Sequence, residues 1–282
     1  MPFPVDPFDM CVVSGSDLIS DTIVSKGYWH DCPGLLSIWE MMKGESPDLG
    51  PPVFLDIGAN IGSCSLLMLN AQAKVVSFEP LPHSLYYYSR SVLGIDKAAK
   101  RNNLTLFNVG CGKDYAQEKI FVARNNAGNA IIGKYDGYYD VNASIPISIV
   151  PCDDALWPGR LRGEKPPHIA LLKLDVEGFE PLALQGLKHL LGARAIRAIK
   201  TEISPKLLKL HGFTAGEFCN MLRMHGFTLF LPGSDREFTA TQCYEYNNKD
   251  KKIFDLVAFL NPPPVGSLAK GVSSPSPLLD ND

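Results

Sequence analysis

From residue 51 onward the chain repeats one pattern: a short run of apolar residues, then a longer stretch in which apolar residues recur at helical spacing. The runs lie at 53–57, 74–79, 104–111, 169–175 and 195–202, and each ends in or beside a polar or small residue. A short apolar run bounded in this way is a strand buried on both faces. A helix between two such strands makes the βαβ unit of a mainly parallel sheet. The pattern therefore predicts an α/β, Rossmann-like fold with helices on both faces, finished by two further strands at 227–231 and 254–260. Between residues 115 and 150 the rhythm breaks. Strand-like runs at 120–123 and 145–150 enclose a turn-rich stretch with Gly128, Asn129, Gly133 and Gly137, which predicts a small β insertion.

The flanks are simpler. Leu35, Ile38, Trp39 and Met42 recur at helical spacing after a Pro33-Gly34 breaker, so residues 15–50 read as a helical cap on one domain spanning 15–260. Ser204-Pro205 and the Thr214…Glu217 pair mark two helix starts. The tail 262–282 holds five Pro, two Gly and four Ser and is expected to be disordered.

Several function classes drop out on composition. A net charge of −3 supplies no basic field for nucleic acid. The longest uncharged stretch, 57–73, contains Gly58, Asn60, Gly62, Ser63, Ser65, Asn70 and Gln72 and is too polar to span a membrane. The seven cysteines are odd in number and widely spaced, with no C-x-x-C pair, so they read as buried thiols of a reducing, cytoplasmic compartment with no metal cluster. The start of the chain lacks a signal-peptide pattern. Two N-x-S/T triplets, at Asn103 and Asn142, would matter only in a secreted protein. No feature of the sequence sets an oligomeric state.

The most informative segment follows the first run. Asp56-Ile57-Gly58-Ala59-Asn60-Ile61-Gly62 places a tight small-residue turn between a strand and an apolar helix. Gly58 and Gly62 let a ligand approach backbone, and Asn60 tolerates unusual backbone angles. A dinucleotide fold would want a third glycine where Ser63 stands. An acid two residues before the turn instead matches the D-x-G-x-G-x-G pattern of S-adenosylmethionine (SAM) enzymes, with Asn60 at the middle glycine. Charge separates the two cofactors. SAM carries an ammonium and a sulfonium where NAD carries a pyrophosphate, so Asp56 suits the first and repels the second.

Glu79 ends the second run, 23 residues after Asp56, where nucleotide folds place the acid that takes two ribose hydroxyls. The third run ends Gly110-Cys111-Gly112, small residues against which adenine could lie, so Gly112 joins the cofactor candidates. The fourth run ends Lys173-Leu174-Asp175-Val176-Glu177-Gly178-Phe179-Glu180, acids at a helix start. In a 3-2-1-4-5 strand order its C-terminal end shares a crevice with the first strand, which aims Asp175 at the ligand.

Together, Leu55-Asp56-Ile57-Gly58-Ala59-Asn60-Ile61-Gly62, Phe78-Glu79-Pro80 and Lys173-Leu174-Asp175-Val176-Glu177-Gly178-Phe179-Glu180, with Glu202 closing strand five, resemble the FkbM-type SAM-dependent methyltransferases. The resemblance covers roughly residues 15–260. It implies the class 1 methyltransferase fold, a seven-stranded sheet whose last strand is antiparallel, and SAM as cofactor. At Cys111-Gly112 the sequence departs from the family, which more often has a serine near an acid.

The expected reaction is methyl transfer to a hydroxyl of a small molecule or glycan. Asp175 and Glu177 are the candidate general bases, with His83 and Glu202 in reserve. Asp56, Gly58, Asn60, Gly62, Glu79 and Gly112 are the candidate cofactor contacts, and no metal is assigned. Asp153 and Asp154 are expected on the same acidic rim. Tyr115, Tyr135, Tyr138 and Tyr139 offer aromatic surface for an acceptor. Two other classes compete: an NAD-dependent oxidoreductase and a catalytically silent SAM-binding protein.

Overall fold

The computed structural model describes residues 8–264 apart from 16, 46–47, 49, 96–100, 125, 136, 138–139 and 248–251. The predicted tail beyond 264, and Tyr138 and Tyr139, lie outside the described residues. The strands are β1 (Pro52–Ile57), β2 (Lys74–Phe78), β3 (Leu104–Phe107), β4 (Gly110–Cys111), β5 (Ala116–Ala123), β6 (Asn126–Ile132), β7 (Val141–Val150), β8 (His168–Leu174), β9 (Ile196–Ile203), β10 (Thr228–Phe230) and β11 (Phe254–Phe259). The helices are α1 (Leu18–Lys26), α2 (Cys32–Met42), α3 (Ser63–Asn70), α4 (Pro82–Leu93), α5 (Cys152–Leu156), α6 (Glu180–Gln185), α7 (Lys188–Gly192), α8 (Pro205–Leu210), α9 (Ala215–Met224) and α10 (Ala240–Glu245).

Seven strands form one sheet in the order β10-β11-β9-β8-β1-β2-β3. It is parallel from β9 through β3, while β11 runs antiparallel to both β9 and β10. This is the expected sheet with its antiparallel last strand. Every residue of β8 is buried, which is why residues 169–174 read as an apolar run interrupted only by Lys173. Successive residues feed opposite faces. Leu55, Ile57, Leu172 and Leu174 pack with Leu184, Leu190, Leu208, Phe218 and Leu222 on one side. Phe54, Leu171 and Ala198 pack with Leu35, Ile38, Trp39 and Met42 of the cap on the other. The cap is therefore part of the core rather than an appendage. The two expected helix starts are both capped, with Ser204 accepting from the Leu207 amide and Thr214 and Glu217 forming a reciprocal capping box.

The insertion is larger than its sequence suggests. The run 104–111 is broken: the chain leaves the main sheet after Phe107, and Gly110–Cys111 pairs with β7 in a second sheet ordered β4-β7-β5-β6. Gly110 allows the crossover because a side chain there would strike Ile149. The stretch with Gly128 and Asn129, expected as turns, is strand β6 on the outer edge of this sheet. An edge strand needs only one set of neighbours, so glycine and asparagine cost less there. Ile120, Ile132, Ile147 and Ile149 of the second sheet pack against Leu81 and Phe179, placing it over one flank of the main sheet's C-terminal rim.

The cysteines correct the sequence expectation of buried thiols. Six of them form Cys32–Cys64, Cys111–Cys152 and Cys219–Cys243, leaving Cys11 exposed and unpaired. Their wide spacing hid the pairing, because the partners belong to different elements brought together only by the fold. The bridges tie α2 to α3, β4 to α5 and α9 to α10. With partners 24 to 41 residues apart, each stabilises by about 3 to 4 kcal/mol in the chain-entropy model. No helix among the described residues is long and apolar enough to cross a membrane.

Candidate active site

β1 is flanked by β2 and β8, and a cleft opens where the C-terminal ends of these strands part. The turn after β1 shapes its floor. Gly58, Asn60 and Gly62 all have positive φ, at 85°, 51° and 82°. At Gly58 a side chain would collide with the carbonyl oxygen of Asp175, so the loop can lie against the end of β8 only as glycine. At Gly62 it would strike the Tyr88 ring, so this glycine serves packing behind the loop.

Glu79 joins the loop to the next helix. Its Oε2 accepts from the Asn60 amide at 2.8 Å and its Oε1 from the Leu81 amide at 2.7 Å. Each carboxylate oxygen keeps a second lone pair, so two acceptor positions remain for ligand hydroxyls. Burial, only partly offset by these two amides, pushes Glu79 up to about 7.

Asp56 is completely buried and stands one layer behind the cleft. Its Oδ2 accepts from Ser65 Oγ at 2.6 Å, and Ser65, Ser77 and Tyr88 continue as a buried hydroxyl chain with steps of 2.8 and 2.9 Å. Burial raises the Asp56 pKa, with the Lys173 charge opposing. Lys173 is the hub of the site. Its Nζ lies 3.5 Å from Asp56, 3.0 Å from Asp175 and donates to the Gly58 carbonyl at 3.1 Å. Burial works against its charge, but the Asp175 and Asp56 carboxylates outweigh it and hold the pKa above the ordinary lysine value.

The segment after β8 turns sharply through Glu177 at φ 52°. Carboxylate oxygens of Asp175, Glu177 and Glu202 all lie within 4.8 Å of one another. Burial, then the charges of Glu202, Asp175 and Glu180, raises the Glu177 pKa well above the carboxylate range; burial, then Asp175 and Asp255, does the same for Glu202. Glu180 points elsewhere. Its Oε1 accepts from the Val176 and Gly178 amides and closes the turn, while the buried Oε2 has no hydrogen-bond partner among the described residues.

The cleft is a pocket partly open to solvent. Gly58, Asn60, Glu79, Asp175 and Glu177 line it, together with Phe78, Pro80, Val109, Ile120 and Ile132 as apolar wall. Gly110 and Cys111 also face it, whereas Gly112 does not: its carbonyl packs against Gly186, and its α-carbon faces Ile149 and Phe179. Asp56, Gly62 and Gly112, chosen from the sequence as contacts, thus stand behind the lining. Asp153 and Asp154 leave the expected rim. Asp153 accepts from the His189 and Leu190 amides at the start of α7, and Asp154 pairs with Arg160 and Tyr115. His83 is exposed beside Tyr87 and lies outside the cleft lining.

Sequence reading gave no role to Lys173, Lys200, Asp31 or Asp255. Lys200 sits between Asp31 of the cap at 3.3 Å and Asp255 of β11 at 2.8 Å. For Lys173 the available signal was a lysine inside an otherwise apolar run, since lysine is almost never buried unless paired.

The donor set fits SAM. Carboxylates crowd the end of β8, where a cationic amino-acid moiety would be attracted, Glu79 has free acceptor capacity for ribose hydroxyls, and the second sheet supplies an apolar wall for a purine.

The chain is similar in part to several solved structures. A solved structure described as methyltransferase FkbM from Methylobacillus flagellatus KT matches 74% of this chain at 14% identity and a TM-score of 0.45, and the match spans 43% of that protein's length. Magnesium protoporphyrin IX methyltransferase (ChlM) from Synechocystis PCC 6803, solved with bound SAM, matches 79% of this chain and 76% of its own at 13% identity and a TM-score of 0.39. The glycopeptide N-methyltransferase MtfA, complexed with SAM, matches 63% of this chain and 57% of its own at 8% identity and a TM-score of 0.32. Among curated proteins nothing matches the chain. The methyltransferase FkbM domain model, however, matches residues 56–229. That span starts at Asp56 and takes in Glu79, Asp175, Glu177 and Glu202, and by it the chain belongs to the FkbM methyltransferase family.

Proposed function

We propose that this chain is a SAM-dependent O-methyltransferase whose acceptor is a hydroxyl of a small molecule or glycan. The observation that carries the proposal is the carboxyl cluster of Asp175, Glu177 and Glu202, of which Asp175 and Glu177 line the cleft together with Glu79 and Gly58. Glu79 would hold the ribose hydroxyls, the Gly58–Asn60 backbone and Asp175 the amino-acid portion, and the wall from Phe78 to Ile132 the adenine. When bound, SAM supplies a methyl group already activated by positive sulfur.

The protein then has two tasks. The first is alignment: acceptor oxygen and methyl carbon must be held about 3 to 3.5 Å apart in line, which the rigid strand ends favour. The second is removal of the hydroxyl proton. Glu177 and Glu202 lie close together, and burial with the neighbouring carboxylates raises both of their pKa values. A carboxylate of this cluster accepts the acceptor's proton, and a pKa above the ordinary carboxylate range makes it the stronger base. Asp175, ion-paired to Lys173, stays fixed beside them.

The test is a methyl-transfer assay with purified protein and SAM across sugars, lipids and polyketides, with mass detection of products. A singly methylated hydroxyl compound is expected. Tight SAM binding without turnover on any acceptor would instead favour a silent SAM-binding protein, and methylation confined to amines would replace the oxygen acceptor by nitrogen.

A further inference from the structure

We propose that this protein matures in an oxidising secretory compartment and carries an N-linked glycan on Asn103. Two independent observations converge. Three disulfides connect six of the seven cysteines, and such bonds persist in oxidising lumenal or extracellular surroundings while cytosolic thiols are kept reduced. All three pairs join separate elements of the same domain, and two of them, Cys32–Cys64 and Cys111–Cys152, flank the cofactor loop and the root of the second sheet. They are built into the architecture.

The second observation is the Asn103-Leu104-Thr105 triplet, an acceptor pattern for N-glycosylation. Asn103 and Thr105 are both exposed, in a turn and in the strand that follows it, so amide and hydroxyl are accessible together. The Asn103 main chain is held at the sheet by its carbonyl, which accepts from the Val75 amide at 2.8 Å. β3 is the edge strand of the seven-stranded sheet. A glycan beside it would also block edge-to-edge pairing with another chain. Asn103 lies at the N-terminal end of β3, opposite the rim that carries the cleft, so a bulky sugar there leaves the cleft open.

The modifying chemistry is substitution at a sugar carbon. The Asn103 amide nitrogen forms a bond to C1 of a lipid-diphosphate-linked oligosaccharide and gives up one proton. The C1–oxygen bond breaks, and the lipid diphosphate leaves with its electron pair. The donor is a lipid-linked oligosaccharide of the compartment.

The experiment uses protein isolated from its own cells with thiols blocked at lysis. Denatured without reduction, the chain is expected to take up alkylating reagent at Cys11 alone, and at all seven cysteines after reduction. Peptide-N-glycosidase is expected to increase its gel mobility, and the shift is lost in Asn103→Gln and in Thr105→Ala. Alkylation of all seven cysteines before reduction would overturn the compartment. Oxidised cysteines with no glycosidase shift, or a shift that survives both substitutions, would overturn the site. None of these readouts depends on catalysis.

Discussion

Lys173 and Lys200 are register partners on the adjacent parallel strands β8 and β9, both nearly buried, and each is neutralised by two carboxylates from different parts of the chain. Lys173 takes Asp56 and Asp175; Lys200 takes Asp31 and Asp255. Two adjacent like charges in a sheet interior are tolerable only with this compensation. The arrangement couples the cap, the cofactor loop, the end of β8 and the antiparallel strand through one network.

Lys200→Met should therefore destabilise the protein, because it leaves Asp31 and Asp255 buried without their cation. The expected loss is about 3 to 5 kcal/mol, as for breaking one partner of a buried pair. Denaturant unfolding measures it, and adding Asp255→Asn should recover part of the loss. No recovery in the double variant would mean that the loss comes from packing and not from charge.

Glu180 makes a pH-dependent prediction whose sign is set by its raised pKa. Its ordinary value of 4.5 is pushed up to about 7, chiefly by burial. Between those values the folded state holds a proton that the unfolded chain has released, so this group's contribution declines as pH rises through that window and stays low above it. Glu180→Gln should accordingly raise the melting temperature at about pH 8 and change it little at about pH 5, with a gain of at most about 3 kcal/mol at the higher pH. An equal effect at both values would rule out ionisation as the cause.

Glu79→Ala removes the acceptor of the Asn60 and Leu81 amides as well as the proposed ribose contact. SAM affinity measured by calorimetry should fall by about 2 to 4 kcal/mol, taking roughly 1.5 to 3 for each charged hydrogen bond and discounting for coupling. Unchanged affinity would remove Glu79 from the site.

Within the carboxyl cluster, substitutions separate base from binder. Glu177→Gln and Glu202→Gln should lower kcat by roughly 10²- to 10⁴-fold with little change in SAM affinity. Asp175→Asn should lower turnover and SAM affinity alike, because its pairing with Lys173 beside Gly58 places it with the cofactor contacts. A loss in turnover with SAM affinity unchanged would make Asp175 itself the base.

The Cys219–Cys243 bridge lies far from the cleft in sequence and joins two helices of the opposite flank. Replacing both residues by Ser should cost about 3 to 4 kcal/mol under non-reducing conditions. A reductant that opens all three bridges should lower wild-type stability by more than it lowers that of the double variant. If reductant leaves the wild type unchanged, the bridges contribute nothing.

The strand runs, the loop 58–62 and the acids at 79, 175 and 177 are legible in the sequence because each is local: an apolar run, a glycine turn or a strand end announces itself within a few residues. The split of residues 104–111 is not legible, since it depends on Ile149 meeting Gly110 from a strand about forty residues away. Gly112 looked like a ligand contact by its position after a strand, yet Gly186 and Phe179 occupy its surroundings.

What the sequence alone determined is the order of βαβ units and the residues at their C-terminal ends, because burial periodicity and turn chemistry are properties of neighbouring residues. The tertiary structure decided which of those residues face the cleft, which cysteines pair and where Lys173 and Lys200 find their counter-charges. Each of these depends on distances between segments far apart in the chain, and a buried charge or thiol takes its character from whatever the fold places beside it.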